Sequence, residues 1–372
     1  MEAWPHSEDC PLPGANDANA KELQGYGIDS VYYTKKFDDT CGAKLVDVIN
    51  KLEPTGMHVM TDDKTAAAVS ATARRASIDA VLLGDEVDGS VDADHLRSTL
   101  SKAYNAAKAV PGVPTYMGSK TTRNVGAFAG IADIQGSDAY CAACAPTMLA
   151  AAKKLPLQYP YYYLRNARDN HTPGTFWGYA QLYSDAWSYQ PDAPELIAQL
   201  GQVVLSGSKA LMFFQSYHDE FSQHKMDDIA HVVRSVRAVG DIVREGDAGG
   251  MAFSTSSKLN DEVMIEVIRS PERLLVAIVN THAKGYSNLL CHTGVDKHWT
   301  FSKHTIQKLE LDTSSAPDAG KLGDWAEAIK GELVPLSGVG ISTDGAKVTL
   351  SNIDLDDAVP VRFLVANVTG TA

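Results

Sequence analysis

Between residues 28 and 217, short apolar runs alternate with longer, alanine-rich stretches whose apolar residues recur at helical spacing. Alternation of this kind predicts a parallel sheet with helices packed outside it. The apolar runs are Ser30–Thr34, Met57–Thr61, Ala80–Leu83, Pro114–Met117, Ile131–Gln135, Thr175–Tyr179 and Ala210–Phe214. Helices are expected over Gly42–Leu52, ended by Pro54, over Lys64–Ala76, and over Asp92–Val110, where the acidic start suits a helix N-terminus. Another is opened by Pro191–Glu195 and stopped by Gly207, and Asp227–Arg244 carries Ile229, Val232, Val236 and Val243 on one side. Seven strands are one short of a (β/α)8 TIM-type barrel. The gap falls at the first strand, because residues 4–16 read as the long loop that would follow it. That strand is therefore expected before Met1 or missing, and an open doubly wound sheet is the structural alternative.

After Gly249-Gly250 the pattern changes to short β-like runs separated by turn signals such as Asp344-Gly345. The runs are Val263–Ile268, Leu274–Asn280, Trp299–Phe301, Lys308–Leu311, Lys347–Leu350 and Val361–Val365. Only Asp324–Ile329 reads as a helix among them. The expected organisation is a barrel over residues 1–248 and a small all-β sandwich over 249–372.

The composition narrows the partners. Hydrophobic residues make up 44% of 372 and charged residues 21%, ordinary for a protein with a large core. A formal net charge of -13 argues against nucleic acid and anionic membranes, which need clustered Lys and Arg. No run approaches the roughly 18 apolar residues of a membrane span. Residues 1–5 carry no leader, as in a trimmed secreted or periplasmic protein or in a cytoplasmic one. The cysteines are Cys10, Cys41, Cys141, Cys144 and Cys291, too few and too odd in number for a disulfide framework. Cys10 and Cys41 can pair if the first two loops lie side by side. Cys141 and Cys144 have no second pair to complete a zinc site, so neither metal nor cofactor is expected.

In such a barrel the chemistry lies where strands end and loops begin. The run ending at Leu83, the fourth strand by count, is followed by Gly84-Asp85-Glu86-Val87-Asp88-Gly89. Three carboxylates in four residues repel unless one is protonated or a ligand intervenes, which is what general acid catalysis requires. Glu86 is the leading acid. Asp85 is a further catalytic candidate and Asp88, like Tyr140 after the sixth strand, a substrate-binding one, unless Asp85 only caps a turn and Asp88 the next helix. The sixth strand leads to Asp138 and Tyr140, and Asp138 is a candidate second carboxylate, with Asp85 as its rival. The seventh carries Trp177, Tyr179 and Gln181 on one face, suited to stacking on a sugar and bonding its hydroxyls, or to plain core packing. Asp62, Asp63 and the run Gln215–Glu220 are weaker carboxylate candidates. Arg165 and Asn170 read as residues that hold loops together.

The segments 83–89, 136–140 and 176–181 together resemble the barrel glycoside hydrolases, especially the clan whose acid/base Glu ends the fourth strand. The resemblance covers roughly residues 20–245. It implies an enzyme that cleaves O-glycosidic bonds of a poly- or oligosaccharide, with Glu86 as acid/base and Asp138 or Asp85 as partner. Two departures matter: Asp85 stands where the clan has Asn, and Gln181 where it has a nucleophilic Glu. The Asp85-Glu86 pair also resembles β-N-acetylhexosaminidases that use substrate assistance and need no enzyme nucleophile. A non-catalytic carbohydrate-binding barrel is the reading from a different class.

Overall fold

A computed structural model of the chain describes residues 2–4, 17–33, 45–62, 65, 77–89, 91–119, 124–138, 158–171, 174–181, 191–214, 220–255, 262–284, 300–315, 321–356 and 359–369. It forms two compact units.

The first unit holds a closed barrel of eight parallel strands: β1 (Glu2–Trp4), β2 (Ser30–Tyr33), β3 (His58–Asp62), β4 (Ile78–Gly84), β5 (Thr115–Ser119), β6 (Ile134–Asp138), β7 (Thr175–Gln181) and β8 (Ala210–Phe214). The first strand is present, which corrects the expectation that it precedes Met1 or is missing. Glu2 and Ala3 pair with Ser30 and Val31 on one side, and Glu2–Trp4 with Met212–Phe214 on the other. Three residues are enough because both edges find partners, so no edge is left open. Helices α1 (Asp17–Tyr26), α2 (Leu45–Leu52), α3 (Ala93–Ala109) and α4 (Tyr159–His171) follow β1, β2, β4 and β6. In α2, Leu45, Val48, Ile49 and Leu52 are buried at i, i+3, i+4 and i+7. Asp92 caps α3, its carboxylate accepting the amides of Asp94 and His95, as the acidic start of that segment implies. Of the expected helix 64–76, only Thr65 is among the described residues, and it is helical. All five cysteines lie outside the described residues.

The sixth strand begins three residues later than its apolar pattern suggests. Asp133 is the reason: its Oδ2 accepts both the amide and the hydroxyl of Thr115 at 2.8 Å, pinning it before the strand. Asp138 is therefore the last strand residue rather than a loop residue.

The second unit contains α5 (Ala193–Leu205), most of α6 (Glu220–Ala238), α7 (Gly240–Glu245) and a β-sandwich. The Asp192 and Glu195 side chains form a reciprocal capping box at the start of α5. The larger sheet has the order β18-β17-β22-β12-β11-β9, and the smaller β10-β16-β20-β19. These are β9 (Asp247–Ala248), β10 (Ala252–Thr255), β11 (Val263–Arg269), β12 (Arg273–Asn280), β16 (Leu309–Asp312), β17 (Lys321–Ile329), β18 (Glu332–Pro335), β19 (Gly340–Asp344), β20 (Lys347–Ser351) and β22 (Val361–Thr369). Two small ribbons pair β13 (Ala283–Lys284) with β14 (Thr300–Phe301), and β15 (His304–Ile306) with β21 (Ile353–Leu355). The core joins Val267, Val276 and Leu364 of the large sheet to Leu309, Leu311 and Leu350 of the small one, all fully buried. The helix expected at Asp324–Ile329 is instead part of β17, paired on both edges with β18 and β22.

Candidate active site

Gly84 and Asp138 close β4 and β6 at their C-terminal ends, whereas Tyr116 is the second residue of β5 and Trp177 the third of β7. Gly84 ends β4, and the chain turns at once through Asp85 and Glu86 into a 3-10 turn over Val87–Gly89. Glu86 has φ 45, in the left-handed region that L-residues avoid. Among the described residues of the barrel unit it is the only non-glycine with positive φ.

Three contacts hold the turn in that conformation. The Gly89 amide donates to the Glu86 carbonyl at 3.2 Å. His95 of α3 donates its Nε2 hydrogen to the Val87 carbonyl at 2.6 Å, and the ring meets Phe128 edge-on at 5.9 Å. Asn124 Nδ2 donates to the Asp88 carbonyl at 2.8 Å. Val87 and Asp88 are buried, Glu86 is half-buried and Asp85 is exposed. A backbone held this firmly in a costly conformation is a feature of functional sites. Asp88 does not cap the next helix, whose cap is Asp92. Its side chain is fully buried, which corrects the expectation that Asp88 contacts substrate.

Asp85 leans over the neighbouring strand. A Cβ added to Gly118 of β5 would lie 2.6 Å from Asp85 Oδ1, so glycine there makes room for the carboxylate. Gly118 pairs in register with Gly136 of β6, and Gly136 with Trp177 of β7. At Gly136 an added Cβ would fall 1.7 Å from the Tyr116 hydroxyl. Tyr116 of β5 therefore crosses β6 over Gly136, and its hydroxyl donates to or accepts from that of Tyr179 on β7 at 3.1 Å. The same ring packs against Trp177, centroids 5.6 Å apart. Side chains from strands that are not neighbours can meet across the one between them only on the concave side. That places Tyr116, Trp177 and Tyr179 inside the barrel, and the strand period of two puts Asp138, two residues beyond Gly136, on the same face. Asp138 pairs in register with Tyr179 and is half-buried, its Oδ1 fully so.

Asp62 ends β3, where its Oδ1 accepts the amide and hydroxyl of Thr65 at 2.8 and 2.5 Å. Arg165 pairs with Asp169 at 3.6 Å, and Asn170 donates to the Asn166 carbonyl at 2.8 Å, both within α4. The Gln181 side chain, Asp63, Tyr140 and residues 215–219 lie outside the described residues. Tyr116, Gly118 and Gly136 were not anticipated as site residues. Their signal is a tyrosine and two glycines inside apolar strands, where glycine marks a close approach.

No protein-family model matches the chain, and no curated protein does. Solved structures do resemble it. The alpha-L-fucosidase isoenzyme 2 from Paenibacillus thiaminolyticus superposes over 100% of both chains with a TM-score of 0.59 at 6% identity. The alpha-amylase from Geobacillus thermoleovorans, complexed with acarbose, covers 100% of this chain and 98% of its own, with a TM-score of 0.53 at 9% identity. Eubacterium rectale Amy13B covers 98% and 95%, with a TM-score of 0.52 at 9% identity. The chain has the fold of these proteins, a TIM-type barrel followed by a β domain. Among the described residues no helix is long and apolar enough to cross a membrane.

Proposed function

We propose that the protein is a glycoside hydrolase, with Glu86 as general acid/base and Asp138 as the second carboxylate. The strained Glu86 at the mouth of β4 carries this reading, because it sits where barrel enzymes place their chemistry. Strands lie about 4.8 Å apart, so β4 and β6 hold the Glu86 and Asp138 backbones on the order of 10 Å apart laterally. Carboxyl groups reaching inward from such positions bracket a sugar ring. Half-buried Trp177 gives the ring an apolar face to stack on, and Tyr116 and Tyr179, buried behind it with their hydroxyls paired, hold that face rather than touch the sugar. Glu86 donates its proton to the glycosidic oxygen as the bond from that oxygen to the anomeric carbon breaks. The Asp138 carboxylate stabilises the positive charge that develops there, and water supplies the hydroxyl and the returning proton.

The position of Asp85 favours one second reading. Its carboxylate beside Glu86 and over Gly118 is suited to orienting a substrate acetamido group, as in substrate-assisted β-N-acetylhexosaminidases. One panel separates the two. Aryl hexosides and aryl N-acetylhexosaminides are assayed with wild type, Glu86→Gln, Asp138→Asn and Asp85→Asn. The first reading expects kcat losses of about 10²–10⁴ for Glu86→Gln and a comparable loss for Asp138→Asn. Turnover of N-acetylhexosaminides alone, abolished by Asp85→Asn and spared by Asp138→Asn, supports the second. Undiminished activity of Glu86→Gln refutes both, and oligosaccharide binding without turnover supports a carbohydrate-binding barrel instead.

A further inference from the structure

We infer that the β-sandwich binds a divalent transition-metal cation of the zinc class through Glu262, His282 and His304. Glu262 directly precedes β11, His282 lies between β12 and β13, and His304 opens β15. His282 Nδ1 and His304 Nε2 are 2.8 Å apart, and each lies 3.5 Å from Glu262 Oε2. The circle through these three atoms has a radius of about 1.9 Å, just under the zinc–nitrogen distance of about 2.0–2.1 Å. A cation about 0.7 Å above their plane therefore touches all three without any atom moving. Two imidazoles and one carboxylate suit zinc rather than calcium or magnesium, and they leave a fourth position for water.

The donors are held by the backbone around them. Asn280 Oδ1 accepts the His282 amide at 3.0 Å while its Nδ2 donates to the Ser302 carbonyl at 2.8 Å. The Ser302 amide returns to the His282 carbonyl at 2.9 Å. The Thr281 amide and hydroxyl both donate to the Glu262 carbonyl, at 2.9 and 3.1 Å. One asparagine and one threonine thus fix the segments that present the ligands, the support a metal site needs. At 2.8 Å the two facing nitrogens are at hydrogen-bond distance, and a cation between them and Glu262 takes the lone pairs of both. The cation then ties the ends of three strand segments of the sandwich.

The test uses the full chain, stripped with EDTA, desalted and titrated with zinc alone. One zinc per chain is expected, with a Kd in the micromolar range or tighter and a rise in Tm that equal magnesium does not give. Cobalt(II) in its place should show the visible bands of a four- or five-coordinate ion. His304→Gln and Glu262→Gln should each weaken zinc at least about tenfold. Diethyl pyrocarbonate labelling of the wild type provides a measure that needs no variant. Zinc should protect His282 and His304 and leave His231 reactive. No zinc bound at about 100 µM, well above the expected Kd, protection of other histidines only, or unchanged affinity in both folded variants overturns the inference.

Discussion

Replacing Glu86 by alanine and, separately, by glycine tests the strained turn directly. Both substitutions remove the carboxylate and every contact it makes, so those losses cancel between the two proteins. What differs is the backbone. At φ 45 an alanine carries the left-handed penalty of about 1–2 kcal/mol, whereas glycine carries none. Glycine gives back about 0.4–1 kcal/mol through the larger freedom of its unfolded chain. The net expectation is that Glu86→Gly exceeds Glu86→Ala in stability by about 1 kcal/mol, or about 2 °C in Tm. At an ordinary negative φ the sign reverses, with alanine ahead by about 0.4–1 kcal/mol. The two outcomes lie roughly 1.5 kcal/mol apart, about a tenfold difference in the unfolding equilibrium. Urea unfolding followed by tryptophan fluorescence and far-UV circular dichroism resolves that separation. An alanine variant as stable as the glycine variant, or more so, would refute the strain. Under the proposed function both proteins are inactive, so the comparison reads the backbone alone.

Other predictions concern ionic and titrating groups away from the site. Glu327 and Arg362 form a bidentate pair, Nε to Oε1 at 2.7 Å with Nη2 to Oε2, and their side chains are only 12% and 11% exposed. Arg362→Ala strands a nearly buried carboxylate and should cost about 3 kcal/mol in chemical denaturation, whereas Glu327→Leu with Arg362→Met should cost under about 1 kcal/mol; equal losses would contradict the desolvation argument. His171, at the end of α4, is fully buried against Gly174, and burial holds its pKa below the ordinary imidazole value. The folded state resists the proton that the unfolded chain takes up below about pH 6.5, so stability falls as the pH drops through that value. Between pH 7.5 and 5.5 the urea midpoint of wild type should therefore drop more than that of His171→Leu, and parallel pH profiles would exclude this role.

Legibility of the fold followed how local each signal was. β2, β3, β4, β5, β7 and β8 appear in the sequence as apolar runs because a strand buried on both faces is apolar at nearly every position. β1 does not, since three residues are too few for any period and its place is set by two distant partners. β17 was masked by its composition. Its Trp-Ala-Glu-Ala run favours helix, Asp324 adopts φ 50, and a bulge between Gly323 and Ala326 breaks the alternation that marks a strand. Pairing on both edges outweighs that propensity.

The candidate site divides along the same line. Asp85 and Glu86 are legible because they follow an apolar run directly, and position along one strand is local information. The crossing of Tyr116 over Gly136 is not, because it requires knowing that β6 lies between β5 and β7 and that the sheet curves. Yet the two glycines fall at paired positions of adjacent strands, Gly118 with Gly136, once the register is known. A glycine inside a buried strand weakens it, so two side by side call for something that fills the space. Here two different side chains fill it, the Asp85 carboxylate over one and the Tyr116 hydroxyl over the other. The glycines thus join the acid turn at β4 to the aromatic wall at β7. Under the proposed function, Gly118→Ala displaces Asp85 and should lower kcat on aryl glycosides while the urea midpoint stays near that of wild type, and unchanged kcat would exclude a role for Asp85.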